Sequence, residues 1–253
     1  MDKYEAYDVI SPFIGRLFRD KSILPIIYYH SIVDNGGLSY QHTNFSVFKQ
    51  HMVFLKDEGY EFLSFKELPF MFKKQKKDKK ILIAFDDGYE DNYTRIFEFM
   101  NKERIKYNIF LTTSFIGSKG YLNNDQILRM NSSGLVDFGV HTHTHINCSV
   151  EYQRLPMEIE QSNKAFCDLL GAEPKDFCFP FGSYSTISVR MIRELGKYKR
   201  VYTSDFLRPT DVAGMCITGR LGIRNEDSIR VLKHKIDGDY YPLRMFVDTR
   251  VPL

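Results

Sequence analysis

Cysteine is scarce in this chain and unpaired in its spacing. Cys148, Cys167, Cys178 and Cys216 form no Cys-x-x-Cys pair and no framework of the kind that staples small secreted domains. Reduced thiols are the simplest account of them. Also missing is any run approaching the ~18 apolar residues that a membrane-spanning helix needs. The first residues, Met1-Asp2-Lys3-Tyr4-Glu5, lack the basic stretch and apolar core of a secretory signal, which predicts a cytoplasmic protein. Charge of one sign is lacking too: a net +3 with no long basic face gives no case for nucleic-acid binding. What is present is 253 residues with 43% hydrophobic content, enough for one large core.

The most informative stretch is Ile81-Leu82-Ile83-Ala84-Phe85-Asp86-Asp87-Gly88. Its apolar part reads as a strand buried on both faces. It ends in two adjacent carboxylates, and an ionised carboxylate is costly to bury without a compensating cation or donor. Metal binding with acid/base chemistry is one reason for such a pair; an ordinary Asp-Asp-Gly turn is the other. A second short strand-like run, Val136 to Val140, ends in His141-Thr142-His143-Thr144-His145. On an extended strand His141 and His145 would stand about 13 Å apart, too far for one ion. If the chain turns after Val140, an i, i+4 pair comes to roughly 5–6 Å between Cβ atoms, which suits one zinc. His143 is off that spacing and is expected to be a bystander. Cys148 lies close in sequence but is not expected to serve as a ligand.

Together the segments resemble the signature of the polysaccharide deacetylases, the carbohydrate esterases built on the NodB-homology domain. Phe85-Asp86-Asp87-Gly88 matches that family's Phe-Asp-Asp-Gly motif, and His141 to His145 matches its His-Ser/Thr-x-x-His. Pro25 to Ile32, with Tyr28-Tyr29-His30, is similar to the opening segment of the branch acting on poly-N-acetylglucosamine, and the likeness runs over roughly residues 23 to 235. The resemblance implies Asp86 as catalytic base and Asp87, His141 and His145 as ligands of one divalent metal. Zinc is the default, with cobalt, nickel or manganese also accommodated by such donors. It further implies an N-acetylated sugar or glycan as substrate, and an oxyanion donor in the backbone N–H of Phe181, after Pro180.

Two departures accompany the resemblance. The family's Arg-Pro-Tyr appears here as Phe179-Pro180-Phe181-Gly182, without its arginine. Arg220 could hold Asp86 in its place, or could make a surface ion pair. The usual late Leu-x-His is represented by Leu232-Lys233-His234, inside a segment, Asp227 to Ile236, that reads as an amphipathic helix. The resemblance to the poly-N-acetylglucosamine branch implies a catalytic acid in the early Tyr-His segment instead, so His30 is preferred over His234. Gly182 and Tyr184 are expected to shape the sugar pocket.

Strand-like runs recur at 26–29, 61–65, 81–85, 108–112, 136–140, 177–179, 200–203 and 215–218. Helical stripes lie at 45–58, 91–102 and 157–170. Alternation of this kind predicts a single α/β domain, 23–253, forming a distorted (β/α)7-8 barrel with its active site at the C-terminal mouth of the strands. Residues 1–22 are expected to form an amphipathic helix packed on the barrel, with peripheral membrane contact as the alternative. The lysine-rich run 73–80 reads as a solvated linker. Two other functions compete: a metal-independent amidase on a cyclic imide or ureide, and a catalytically silent glycan-binding module. Both are expected to lack part of the set Asp86, Asp87, His141 and His145, which is complete here.

Overall fold

The structure is a computed structural model and describes residues 23–34, 39, 41–68, 79–195, 198–205 and 209–239. The expected N-terminal helix within 1–22 and residues 73–78 of the lysine-rich run lie outside them. Among the described residues no helix is long and apolar enough to cross a membrane.

The strands that carry the site are β1 (Ile26–Tyr29), β5 (Lys80–Phe85), β6 (Tyr107–Leu111), β7 (Val136–Val140), β8 (Asp176–Cys178) and β9 (Arg200–Thr203). They are joined in parallel in the order β1-β5-β6-β7-β8-β9. β11 (Met215–Gly219) pairs in parallel with β9, and β12 (Leu221–Gly222), one residue further on, pairs in parallel with β1. The chain thus bends at Arg220, and the ladder returns to the strand where it began. This is the closure expected of a barrel, with the last strand shared between two neighbours.

Helices pack outside the ladder: α1 (Phe45–Asp57), α2 (Glu98–Glu103), α3 (Asn124–Ser132), α4 (Leu155–Leu170), α5 (Thr186–Glu194) and α6 (Ile229–Ile236). Successive strand side chains point to opposite faces, so each strand serves two cores. Ile27, Ile83, Ile109 and Val201 pack outward with Phe48, Met130, Ile159 and Ile192 of the helices. Ile26, Leu82, Ala84, Phe110, Cys178 and Tyr202 form a separate interior cluster. That double burial is why these strands read as continuous apolar runs. Gly139 belongs to the interior, where a Cβ would lie 2.8 Å from the Asp176 carbonyl oxygen and from the Phe110 ring.

The N-terminal end of the interior is closed by a turn at Phe65–Glu67, reached from β4 (Glu61–Leu63), which pairs with β5. Phe65 stacks against Tyr202 and meets Phe110. Below them Arg200 makes a bidentate pair with Asp176 (2.6 and 2.7 Å). A plugged floor leaves the opposite, C-terminal end for chemistry.

Several elements differ from expectation. The helix expected at 91–102 opens as a π-helix, Asn92–Phe97, before α2. The strand expected at 177–179 ends at Cys178, because Pro180 follows and bends the chain. The strand expected to stop at Thr218 ends at Gly219, and a second short strand, β12, follows after the bend at Arg220. The small parallel pair β2 (Ser31–Val33) and β3 (His42–Asn44), and the edge strand β10 (Thr210–Val212), are too short and polar to show any period.

Candidate active site

The site is assembled by strand parity. On β1 the inward residues Ile26 and Tyr28 are followed by His30; on β5, Leu82 and Ala84 are followed by Asp86. On β7, Gly139 is followed by His141, and Arg220 stands between β11 and β12. Pairing sets the heights: Tyr29 is opposite Phe85, and the Asp86 N–H donates to the Tyr29 carbonyl (3.0 Å). The His141 N–H donates to the Leu111 carbonyl (2.8 Å). The next inward position on each of these strands therefore lies at the mouth.

Arg220 and Asp86 form a fully buried ion pair, with Nη1 and Nη2 donating to Oδ1 and Oδ2 at 2.7 Å each. The guanidinium is held further by the ring of Tyr28, 4.4 Å from its centroid, and by Cys178 Sγ at 2.8 Å from Nη2. Of the two options open to Arg220, the buried pair with Asp86 is therefore the one the structure has, not a surface ion pair. Burial acts to raise the Asp86 pKa, but the Arg220 charge and its hydrogen bonds outweigh it. With smaller contributions from His141 and His30, they hold this carboxyl down at about 2.

Asp87 and Gly88 both take left-handed backbone, φ 70° and 79°. The turn swings the second carboxylate away from Arg220 and toward the histidines. Asp87 Oδ1 lies 3.1 Å from His145 Nε2 and 3.7 Å from His141 Nε2. Glycine suits the second of these positions, because φ 79° is a conformation that side-chain-bearing residues rarely adopt. Burial disfavours the Asp87 charge, yet the hydrogen bond from His145 and the nearby His141 and His30 bring its pKa below the usual value.

The chain turns sharply after β7, with Thr142 at φ 64° and His145 at φ 60°. Positive φ is rare for any non-glycine residue and most of all for a β-branched one, and each such residue costs on the order of 1–3 kcal/mol. The result is that the His141 and His145 rings stand 5.0 Å apart between centroids. His141 Nδ1 donates to the Cys178 carbonyl (2.8 Å), which leaves Nε2 as the free lone pair facing Asp87. Burial lowers the His141 pKa to about 4, against the opposing pull of Asp86 and Asp87.

These donors fit a metal ion. One ligand atom from each of Asp87, His141 and His145 lies within 4.8 Å of the others. Asp87 Oδ1 is buried and faces the Nε2 atoms of both His145 and His141, and the imidazole of His141 is already neutral near pH 7. Asp86, His141 and Cys178 also converge, but the Arg220 guanidinium already sits on both Asp86 and Cys178, and burial pushes the Cys178 thiol up, against the thiolate form. A cation there would face a fixed positive charge.

His30 is near enough for its charge to act on both carboxylates, and its ring meets Tyr28 edge-on at 5.6 Å. Its segment is pinned by the start of the π-helix: Asn92 Nδ2 donates to the His30 carbonyl (3.0 Å), and Ser31 Oγ donates to Asp91 (2.5 Å). His234 is on α6, bonded to Asp239 at 2.7 Å. His143 is bonded to Thr113 Oγ1 (2.9 Å). Cys148 is buried and its thiol reaches only the Ile146 carbonyl (3.8 Å).

After β8, Pro180 turns the chain and Phe181 takes φ 58°, leaving its ring 60% exposed and 4.5 Å from His145. This is an aromatic face at the rim. Gly182 packs with its backbone against β9, accepting from Thr203 Oγ1 (2.9 Å), where a Cβ would lie 3.0 Å from Ser204 N. Tyr184 packs 5.3 Å from Phe179 at the edge of the core. Cys178, which contacts Arg220, and Asn92, which is bonded to the His30 carbonyl, have no motif to mark them.

The family model for polysaccharide deacetylases matches residues 73–199. The Bacillus subtilis protein YxkH, named for the same family, is 31% identical over 183 residues, 71% of this chain and 64% of that protein. A poly-β-1,6-N-acetyl-D-glucosamine N-deacetylase of Staphylococcus aureus is 26% identical over 166 residues, 60% of this chain and 57% of that one. The chain thus matches under two-thirds of the length of these curated relatives. Among solved structures, the Streptococcus pyogenes deacetylase PplD superposes with a TM-score of 0.73 at 23% identity, over 85% of this chain and 98% of that one. IcaB from Ammonifex degensii gives 0.68 at 21%, over 85% and 97%. These two likenesses speak to the fold. With a family match across half its length, lying over both motif segments that build the mouth, the chain belongs to the polysaccharide deacetylase family.

Proposed function

We propose that this protein is a metal-dependent N-deacetylase that hydrolyses the acetamido group of an N-acetylated amino sugar or glycan and releases acetate. The observation that carries the reading is the convergence of three N/O donors, from Asp87, His141 and His145, next to a second carboxylate held by Arg220. Asp87, His141 and His145 would hold one divalent ion, zinc first, whose chemistry is to polarise the acetyl carbonyl and lower the pKa of water toward ~7.

The remaining work belongs to the chain. Asp86 is ionised at neutral pH and takes the proton of the attacking water. Arg220 keeps that carboxylate charged and fixes its orientation, so that proton transfer needs no rearrangement. The backbone N–H of Phe181 donates to the oxyanion that develops on the substrate. His30, across the mouth, protonates the departing amine, which cannot leave as an anion. The exposed Phe181 ring offers an apolar face on which a pyranose can lie. The amidase and silent-module readings are less favoured because the full donor set is present.

The test is acetate release from a panel of N-acetylated sugars and nucleotide- or lipid-linked sugars, before and after metal stripping and zinc add-back. Acetate that is lost with the metal and restored by zinc is the expected result. Hydrolysis unaffected by stripping would overturn the metal-dependent reading.

A further inference from the structure

We propose that Glu158 is a positioning residue that holds the His141–His145 turn in the conformation that presents both imidazoles. The proposal rests on the reading of Asp87, His141 and His145 as metal ligands. Glu158 lies in the first turns of α4 and is completely buried. Its Oε2 accepts from the backbone N–H groups of His143 (2.9 Å) and Thr144 (2.7 Å), and its Oε1 accepts from Thr144 Oγ1 (2.5 Å). All three donors come from the two residues that lie between Thr142 and His145. Arg154, one helical turn earlier, donates Nη2 both to Glu158 Oε1 (3.3 Å) and to Thr144 Oγ1 (3.2 Å), so the carboxylate is neutralised where it is used.

A buried carboxylate persists only where donors compensate it, and here the compensation is spent on one turn. That turn needs it. Thr142 and His145 both sit at positive φ, a conformation that persists only when the surroundings over-determine it. Among the described residues the Thr142 hydroxyl is itself buried without a hydrogen-bond partner, so the turn draws no support from that side chain. Left to itself, the segment would relax toward extended backbone, and the two imidazoles would separate beyond the reach of one ion. Glu158 therefore acts on the metal through backbone geometry. α4 has its own apolar face (Leu155, Ile159, Phe166) and does not need this carboxylate to form.

The experiment compares wild type, Glu158→Gln, Thr144→Ala and, as control, Glu160→Gln, which is exposed on the same helix. Zinc affinity is measured by chelator competition, the cobalt-substituted absorption spectrum is recorded, and the metal-free proteins are melted. Glu158→Gln is expected to bind zinc about 10–100-fold more weakly, the range typical of groups that orient metal ligands, with an altered cobalt spectrum. Thr144→Ala, which removes one exposed donor, is expected to lose about three- to tenfold, and Glu160→Gln to match wild type. Zinc affinity and cobalt spectrum unchanged in Glu158→Gln, even with a lower melting temperature, would overturn the proposal and leave a purely structural carboxylate. Should Glu158→Gln fail to fold, unchanged affinity in Thr144→Ala would overturn it instead. A wild-type protein that binds no metal would overturn the ligand reading itself, and this inference with it.

Discussion

Asp86 and Asp87 are neighbours with opposite electrostatic surroundings. Asp86 keeps strand geometry and meets Arg220; Asp87 flips into left-handed backbone and meets two imidazoles. Their roles should separate on substitution. On the proposed mechanism, Asp86→Asn is expected to bind zinc as the wild type does and to lose about 10²–10⁴-fold in turnover, read as acetate release alongside metal content; near-normal turnover would sink the base assignment. Arg220→Met leaves a buried, unpaired carboxylate, and breaking such a pair costs about 3–5 kcal/mol. A urea midpoint should fall accordingly, and combining it with Asp86→Asn should cost less than the sum of the two. Additive losses would mean that the pair is not an energetic unit.

At the scale of elements, β7 and the π-helix do the aligning. β7 carries Gly139 because Phe110 and the Asp176 carbonyl occupy the space where a Cβ would go. Gly139→Ala overpacks the interior and should cost about 1–3 kcal/mol, measured by thermal melting; an unchanged melting temperature would show that β7 can shift freely. The π-helix starts at Asn92, whose side chain ties the His30 carbonyl to the strand end opposite. An added residue per turn at such a place is a common mark of function. If His30 acts as proposed, Asn92→Ala should lower turnover about tenfold while sparing zinc content, because small misplacements of such a group are costly. A parallel loss of metal would point to general unfolding of the mouth.

For the molecule as a whole, the buried site makes the metal-free protein sensitive to acid in two windows. The folded His141 pKa, about 4, lies below its ordinary 6.5, so the unfolded chain takes up that proton first. Burial lowers the pKa of His51 too, outside the mouth. Stability is therefore complete above pH 6.5 and falls as pH drops toward 4. Asp86, moved from 3.8 to about 2, contributes stability that is present above pH 3.8 and is lost as pH falls through 2. Melting of the metal-free protein across pH 2–7 should show both slopes. A His141→Asn variant should flatten the upper one; an unchanged slope would place the sensitivity elsewhere.

Much was legible in the sequence because it depends on local pattern. The apolar runs ending in Asp86 and His141 gave the strands and the position at the mouth, since burial on both faces leaves a continuous run; which residues point inward was decided by the pairing. Arg220 was legible only as one of two options, as an arginine has no period and its partner is 134 residues away. Glu158, Asn92 and Cys178 carried no signal: a glutamate on a helix, an asparagine after Asp91 and a cysteine in a strand are each ordinary until the chain closes on itself. The motifs, and with them the family, were legible in the sequence alone. Tertiary structure decided how the last strand splits at Arg220 to close the ladder, and how α4 reaches the His141 turn, because both depend on contacts between segments distant in the chain.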